Sequence, residues 1–439
     1  MNSTLSGLFD AESYWLLDAH IPSCLIDLED IIQTREGLSL VDLKINRGKI
    51  ERVVAANNSS KAEQIPSIDL ARKIILPCFT DVHTHLDKGH IWERSPNIEG
   101  TFEMALDRAI ADSQKYWQSE DVYRRMEFGL KCSYARGTKA IRTHIDSYGI
   151  QADISLEVFQ SLRSLYADKI ALQAVSLVSL DYYQTPEGVA LADKIANIGG
   201  VLGGVAWENK DLEAQLDTMF RLAQERNLDL DFHADENGDP NSQCLQKIAQ
   251  AALRHNFQRK ITCGHCCSLA VQSEVVVKET IKLVKEAKLA IVSLPMCNLY
   301  LQDRKQTATP HWRGVTRVKE LKQNNIPVAF ASDNCRDPFF GFGDHDMLEV
   351  VEQSVRIAHL DSPYSNWIES FTTIPSSVMG LDNLGSIAPG KTADLIVFTA
   401  RYYSELLSRS QGDRIVLRQG RQINTKLPDY SELDDLVFM

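Results

Sequence analysis

The middle of the chain alternates short apolar segments with longer amphipathic segments that carry charge. Segments such as 212–226 and 273–287 have the spacing of helices. Eight apolar segments have the length of strands: 73–85, 139–147, 169–178, 201–207, 228–235, 260–266, 289–295 and 326–333. Eight strands alternating with helices predict a (β/α)8 TIM barrel, in which active sites lie at the carboxyl ends of the strands. A doubly wound sheet is the alternative that this pattern leaves open.

The two ends of the chain have a different pattern. Residues 12–70 and 385–424 contain short alternating runs separated by turn signals, which is typical of strands with one buried face. We therefore predict a small β-sandwich domain built from 1–76 and 385–439, with the barrel inserted between them as 77–384.

The amino-acid composition and net charge exclude several classes of protein. The 439 residues are 44% hydrophobic and 24% charged, which excludes wholesale disorder. A net charge of −12 argues against a nucleic-acid or anionic membrane surface. No apolar run reaches transmembrane length, and the first residues lack the pattern of a signal peptide. Nine cysteines in so long a chain favour reduced thiols, and hence a cytoplasmic location.

The most informative segment is Asp81-Val-His83-Thr-His85. Side chains two apart on a strand share a face, so His83 and His85 point the same way, with Asp81 below them. Two imidazoles presented together at a strand end can chelate a divalent metal. As an isolated pattern, the pair is equally consistent with two ordinary core or surface histidines.

Further polar side chains end the other predicted strands: His144, His233, His265 and Asp333. Strand parity predicts that Leu228, Leu230 and Phe232 face the outer helices, and that Asp229, Asp231 and His233 point into the barrel. Neutral imidazoles with one carboxylate describe an open, catalytic metal site better than a closed structural one.

Glu236 lies three residues beyond His233, so the two side chains cannot share one strand face. Glu236 must therefore follow the strand, in the loop above the site. A carboxyl group there is a candidate proton shuttle. A solvated acidic loop is the alternative.

Two other motifs match known site patterns only in part. Cys263-x-x-Cys266 lacks the second cysteine pair of a zinc knuckle. Residues 385–392 match the P-loop pattern, but the β-run that follows them, 393–398, indicates a turn before a strand and not the required helix.

With these residues assembled, the chain resembles the amidohydrolase superfamily and, within it, the cytosine deaminase group. The resemblance covers nearly the whole chain and rests on these motifs: LPCFTDVHTHLDK (76–88), RTHID (142–146), DFHADE (231–236), TCGHCC (262–267), NLYLQDR (298–304), RGVTRVKEL (313–321), ASDNCRDPF (331–339) and G-x-I-x-x-G-x-x-A-D-L (385–395).

The resemblance implies a barrel with one divalent metal ion, Fe2+ or Zn2+, held by His83, His85, His233 and Asp333. It implies that Asp333 accepts a proton from the attacking water, and that Glu236 carries a proton to a ring nitrogen and then to the departing amine. His265 would orient the attacking oxygen. Lys210 lies past the end of the fourth strand, so we expect no bridging carbamate and a single metal.

The residues expected to contact substrate are Ser179, His144, Asn334, Phe339 and Gln302. The cytosine deaminase group carries a glutamine where this chain has Ser179, and a second aspartate where it has Asn334. It has an aromatic residue at the position of Phe339. Loss of the glutamine that reads the pyrimidine edge changes hydrogen-bond complementarity, which can shift selectivity by orders of magnitude.

The sequence therefore predicts a metal-dependent hydrolase that deaminates a cytosine-like N-heterocycle. The alternatives are an amidohydrolase that cleaves another C–N bond, as in an alkylamino-triazine or a cyclic amide, and a non-catalytic metal-binding relative. The partner we expect is a small heterocyclic substrate, with neither nucleic acid nor membrane. Relatives often form homo-oligomers, but nothing in the sequence identifies an interface.

Overall fold

A computed structural model describes residues 9–28, 31–56 and 65–437. The chain divides into two compact units. One comprises the described residues up to Thr80, with 132–139 and 346–427. The other comprises 81–131, 140–345 and the described residues from Pro428 onward. The boundaries expected at 76/77 and 384/385 stay predictions.

The strands are numbered in chain order. They are β1 Ser13–Pro22, β2 Leu38–Asn46, β3 Lys49–Ala55, β4 Ser67–Asp69, β5 Ile75–Pro77, β6 Phe79–Thr84, β7 Thr138–Asp146, β8 Ala171–Leu177, β9 Leu202–Ala206, β10 Leu230–Ala234, β11 Ile261–His265, β12 Ala290–Ser293, β13 Val328–Phe330, β14 Leu395–Val397, β15 Ile415–Arg418 and β16 Arg421–Gln422.

The α-helices are numbered in the same way. They are α1 Phe102–Tyr116, α2 Ser119–Arg136, α3 Ile150–Leu165, α4 Pro186–Asn197, α5 Leu212–Arg226, α6 Cys244–Arg254, α7 Glu274–Glu286, α8 Pro295–Leu301, α9 Val318–Gln323, α10 Met347–Ala358, α11 Thr373–Val378, α12 Tyr403–Leu406 and α13 Asp434–Val437. Short 3-10 helices cover Ser23–Leu25, Leu180–Gln184, Cys267–Ala270, Trp367–Phe371 and Tyr430–Leu433. Among the described residues, every helix is too short or too polar to cross a bilayer.

Strands β6 to β13 form the barrel. Strands β6, β7 and β8 make one sheet, and β9 to β13 make a second, parallel one. A bridge from Val175 to Val201 and a bridge from Thr84 to Asp333 link the two sheets at both edges. The (β/α)8 barrel is therefore confirmed, and the carboxyl ends of its strands meet on one side.

The first unit contains two four-stranded sheets, in the orders β3-β2-β1-β4 and β16-β15-β14-β5. Both sheets contribute to one apolar core, in which Leu16, Leu43 and Ile45 from the first pack with Leu395 and Leu417 from the second. The predicted β-sandwich from the amino- and carboxyl-terminal segments is thus confirmed.

Capping residues set where the barrel helices begin and end. The hydroxyl of Thr101 accepts a hydrogen bond from the backbone N–H of Met104 and caps α1 at 3.2 Å. Asn227 ends α5 in the left-handed conformation that asparagine tolerates. The helices predicted at 212–226 and 273–287 are confirmed as α5 and α7.

Seven of the eight predicted barrel strands are confirmed with ends that differ by one to three residues. The segment predicted as one strand at 73–85 is instead two, β5, which pairs with β14, and the barrel strand β6. Phe232 stacks on Phe220 of α5, as its outward parity predicted. Asp229 was expected inside the barrel, which is wrong. It precedes β10, and its carboxylate pairs with Arg259 at 2.9 Å. Residues 385–392 form turns before β14, so they make no P-loop.

Candidate functional site

Four side chains converge at the carboxyl end of the barrel: His83 and His85 from β6 and its end, His233 from β10 and Asp333 after β13. The Nε2 atom of His85 lies 3.2 Å from Oδ1 of Asp333 and 3.4 Å from Nε2 of His233. The Nε2 atom of His83 lies 3.6 Å from the same carboxylate oxygen. The predicted convergence of these residues is therefore present.

The backbone fixes Asp333 beside the two strand histidines. Its N–H donates to the carbonyl of His83 at 2.9 Å, and the hydroxyl of Thr84 donates to the carbonyl of Asp333 at 2.8 Å. Asp333 adopts a left-handed φ of 65°, which is uncommon outside glycine and occurs where surrounding structure holds the residue. These bonds close the barrel and aim the carboxylate at the imidazoles.

The electrostatics of the cluster suit a cation. Burial, followed by the neighbouring charges, lowers the pKa values of His83, His85 and His233 well below the usual range, so the imidazoles are neutral. Burial and then the nearby Asp337 carboxylate raise the pKa of Asp333 to about 8. Among the described residues, Oδ1 of Asp333 and both ring nitrogens of His83 have no hydrogen-bond partner. Unsatisfied buried lone pairs on imidazoles and a carboxylate fit a divalent metal ion.

Space for the cluster comes from a glycine on β11. A Cβ atom at Gly264 would lie 2.9 Å from Cε1 of His83, closer than a side chain tolerates. Only a residue without a side chain allows the imidazole its present position.

His144 occupies a different place from the one expected. It is fully buried, its ring centroid is 3.8 Å from that of His83, and it does not line the cavity. Its Nε2 atom lies 3.4 Å from Asp231, which forms a 2.9 Å ion pair with Arg142. His144 thus packs beneath the cluster, and its nitrogen is close enough to join the metal-binding group.

Glu236 follows β10, as predicted, and turns back over the site. Its Oε1 atom lies 3.2 Å from Nδ1 of His265, and Nδ2 of Asn298 lies 3.0 Å from the same nitrogen. Burial and then the nearby Asp333 raise the pKa of Glu236 well above its usual range. Burial lowers the pKa of His265 to about 3, so its ring is neutral. The pair can therefore hold one proton at neutral pH.

A cavity of about 620 Å³ opens onto this site. It reaches His85, His233, Glu236, His265 and Asp333, and it is also lined by Ser179, Asn334 and Phe339. Much of its wall is apolar or aromatic, from Phe102, Leu106, Trp117, Tyr148, Ile154, Val178 and Trp207. A cavity of this size and lining suits a flat organic molecule.

Three of the expected substrate-contacting residues have other partners. The Gln302 side chain does not line the cavity, and its amide donates to the backbone carbonyl of Glu236 at 3.1 Å, which fixes the Glu236 loop. The amide of Asn334 donates to Asp337 at 2.7 Å. The hydroxyl of Ser179 donates to Asp181. Substrate contact by these residues stays a prediction.

Sequence reasoning missed Lys88, a buried cation on the cavity wall. Its Nζ atom donates to Asp146 at 2.8 Å and lies 5.3 Å from the ring of Phe339. Burial opposes its charge, but Asp146 and Asp87 outweigh burial and raise the pKa of Lys88. Its position three residues after His85, at the end of a strand, was the available signal. Lys210, by contrast, is exposed and lies past β9, as expected.

Residues 156–422 match the family described as the amidohydrolase family. The chain is 47% identical over 403 residues to a pterin deaminase from Rhizobium rhizogenes, which covers 92% of each protein. It is 25% identical over 373 residues to an N-isopropylammelide isopropyl amidohydrolase from Pseudomonas sp., covering 82% of this chain and 88% of that protein. A solved 5-methylcytosine deaminase from Klebsiella pneumoniae shares its fold, with a TM-score of 0.80, 24% identity, and coverage of 94% of this chain and 98% of that one.

Proposed function

The chain belongs to the amidohydrolase family, within its cytosine deaminase-like group, and from this premise we propose that it hydrolytically deaminates a fused-ring aminopyrimidine of the pterin type. The chain is a metal-dependent hydrolytic deaminase of a heterocycle, which acts on a non-peptide C–N bond. The proposed reaction converts the C–NH2 group and water into an oxo group and ammonia.

The observation that carries this proposal is the buried Glu236 carboxyl group, which faces the same cavity as His85, His233 and Asp333 and whose pKa is raised by burial. Deamination needs an activated water and a proton carrier on one face of the substrate ring. A purely structural metal site would need no such carboxyl group.

His83, His85, His233 and Asp333 are the residues that would hold the metal. When bound, a divalent ion lowers the pKa of a water molecule to about 7, which makes hydroxide available at neutral pH. The Asp333 carboxylate would be the group that accepts a proton from the attacking water. His265, held by Glu236 and Asn298, directs its free Nε2 atom toward the attacking oxygen.

Glu236 carries the proton through the reaction. It protonates the ring nitrogen beside the amine-bearing carbon, so that this carbon becomes electrophilic. After water has added, Glu236 takes the proton of the new hydroxyl group and delivers it to the amine, so that the C–N bond breaks to release ammonia and leaves the oxo group. The proton that Asp333 accepted then returns to Glu236. The hydrogen bond from Gln302 to the Glu236 carbonyl keeps the loop in place during these transfers.

The substrate class rests on the cavity and on the relative. A volume of about 620 Å³ exceeds the needs of one pyrimidine ring and falls in the range of sites for larger organic ligands. Ser179 replaces the glutamine with which the cytosine deaminase group reads a pyrimidine edge. The 47% identical relative is a pterin deaminase. We therefore propose a pterin as the substrate. The sequence alone led us to expect a cytosine-like heterocycle.

A panel of substrates tests the proposal. Zinc- and iron-loaded protein should release ammonia from pterin faster than from cytosine, with formation of the corresponding oxo-pteridine. Release of an alkylamine from an N-alkyl ammelide would instead favour the chemistry named for the 25% identical relative. No ammonia from any aminopteridine or aminopyrimidine would refute deamination.

A further inference from the structure

A second group of metal-binding side chains lies apart from the deamination site. His90 follows β6, and Cys335 and His345 follow β13. Their donor atoms all lie within 4.8 Å of one another. The three residues are buried, at 2%, 2% and 4% exposure. None of them lines the cavity or has a role in the proposed reaction.

The distance between the two histidines is informative. Their Nε2 atoms are 3.2 Å apart. Two nitrogens bound to one tetrahedral zinc ion at about 2.05 Å would be about 3.3 Å apart. Burial lowers the pKa of His90 well below its usual range and that of His345 to about 4, so both rings are neutral and carry a lone pair. Their present separation thus needs little change to bind a shared ion.

The surroundings hold the imidazoles in this arrangement. A Cβ atom at Gly129 of α2 would lie 2.9 Å from Nε2 of His345, so only glycine leaves room for the ring. His90 and His345 both adopt left-handed backbone, with φ of 63° and 52°. Such conformations are unfavourable for residues other than glycine and persist where other interactions over-determine them. Within the described residues, Nδ1 of each ring has no hydrogen-bond partner.

We propose that His90, Cys335 and His345 form a second metal site that binds zinc. Two imidazoles and a thiolate are ligands that zinc prefers, and three protein ligands leave one tetrahedral position for water. The Cys335 thiol releases its proton to solvent when the sulfur–zinc bond forms. The ion would join the loop that follows His85 to the loop that begins at Asp333, already linked where His90 N–H donates to the Cys335 carbonyl at 3.2 Å.

Cobalt substitution tests this site separately from the deamination site. A cobalt–thiolate bond gives an intense near-ultraviolet charge-transfer band, and the residues proposed to hold the catalytic metal include no cysteine. The cobalt-loaded protein should show this band and bind two cobalt ions per chain. Cys335→Ser should lose the band and one ion. Cys78→Ser, at a buried cysteine that precedes β6 and whose thiol donates to the Leu417 carbonyl, is the matched control and should keep the band and both ions.

Two further variants test whether the two metal sites are independent and whether His345 is a ligand. His85→Ala should lose the other ion and keep the band, which separates this site from the proposed function. If Cys335→Ser fails to fold by circular dichroism, His345→Gln should still bind fewer than two cobalt ions and show a weakened band. One ion per saturated wild-type chain with no thiolate band, or a band that survives in Cys335→Ser, would overturn the proposal.

Discussion

Replacement of Glu236 by glutamine tests the proton carrier most sharply. The amide has nearly the shape of the carboxyl group, so the contact with His265, now 3.2 Å from Nδ1 to Oε1, can persist. The amide cannot release a proton to the ring nitrogen. Positioned general acid–base catalysis contributes about 10²–10⁴ in rate, which is about 2.7–5.5 kcal/mol of barrier. The Glu236 side chain is only 10% exposed, so bulk water is a poor substitute.

We therefore expect Glu236→Gln to lower kcat for ammonia release from pterin by at least a hundredfold. Metal content, measured by plasma mass spectrometry, should stay at the wild-type level because Glu236 is not a proposed ligand. Glu274→Gln is the matched control, since that carboxylate is 68% exposed and pairs with Arg317 on the surface. A loss smaller than tenfold in Glu236→Gln, with the metal retained, would remove Glu236 from the mechanism.

Three further predictions concern the support of the site. Arg142→Met should lower the free energy of unfolding by about 3–5 kcal/mol in urea melts, because it leaves the buried Asp231 carboxylate unpaired; a change under 1 kcal/mol would contradict this. Gly264→Ala should displace the ring of His83 and weaken metal affinity in a competitive chelator titration, and unchanged affinity would refute the close contact. Burial raises the pKa of Asp337 from 3.8 to about 6, so the folded state keeps this proton longer than the unfolded state. The unfolding free energy should therefore fall by about 2 kcal/mol more in wild type than in Asp337→Asn as the pH rises from 4 to 6.5, and parallel curves would contradict the shift.

Strand periodicity was enough to assemble the core of the site. His83 lies on β6 and His85 directly follows it two residues on, so the two share a face, and His233 lies one residue before the end of β10 with inward parity. Parallel barrel strands bring their carboxyl ends to one side, so Asp333 after β13 had to lie near them. Local pattern and topology together therefore fixed which residues meet.

Other features depend on contacts between residues far apart in sequence. The His144 side chain faces the core because it contacts Asp231, 87 positions away, and the ring of His83. The orientation of Gln302 depends on the carbonyl of Glu236. In the sequence, Lys88 is indistinguishable from an ordinary surface lysine. Its place on the cavity wall depends on the hydrogen bond that it donates to Asp146. No periodicity in the chain encodes these pairings.

The central claim is that His83, His85, His233 and Asp333 together hold the ion that deamination requires. Anomalous diffraction from crystals of the zinc-loaded protein, recorded at the zinc edge, tests it directly. The account predicts an anomalous peak enclosed by the three imidazoles and the Asp333 carboxylate. Saturating zinc that leaves no peak between these four side chains would contradict it.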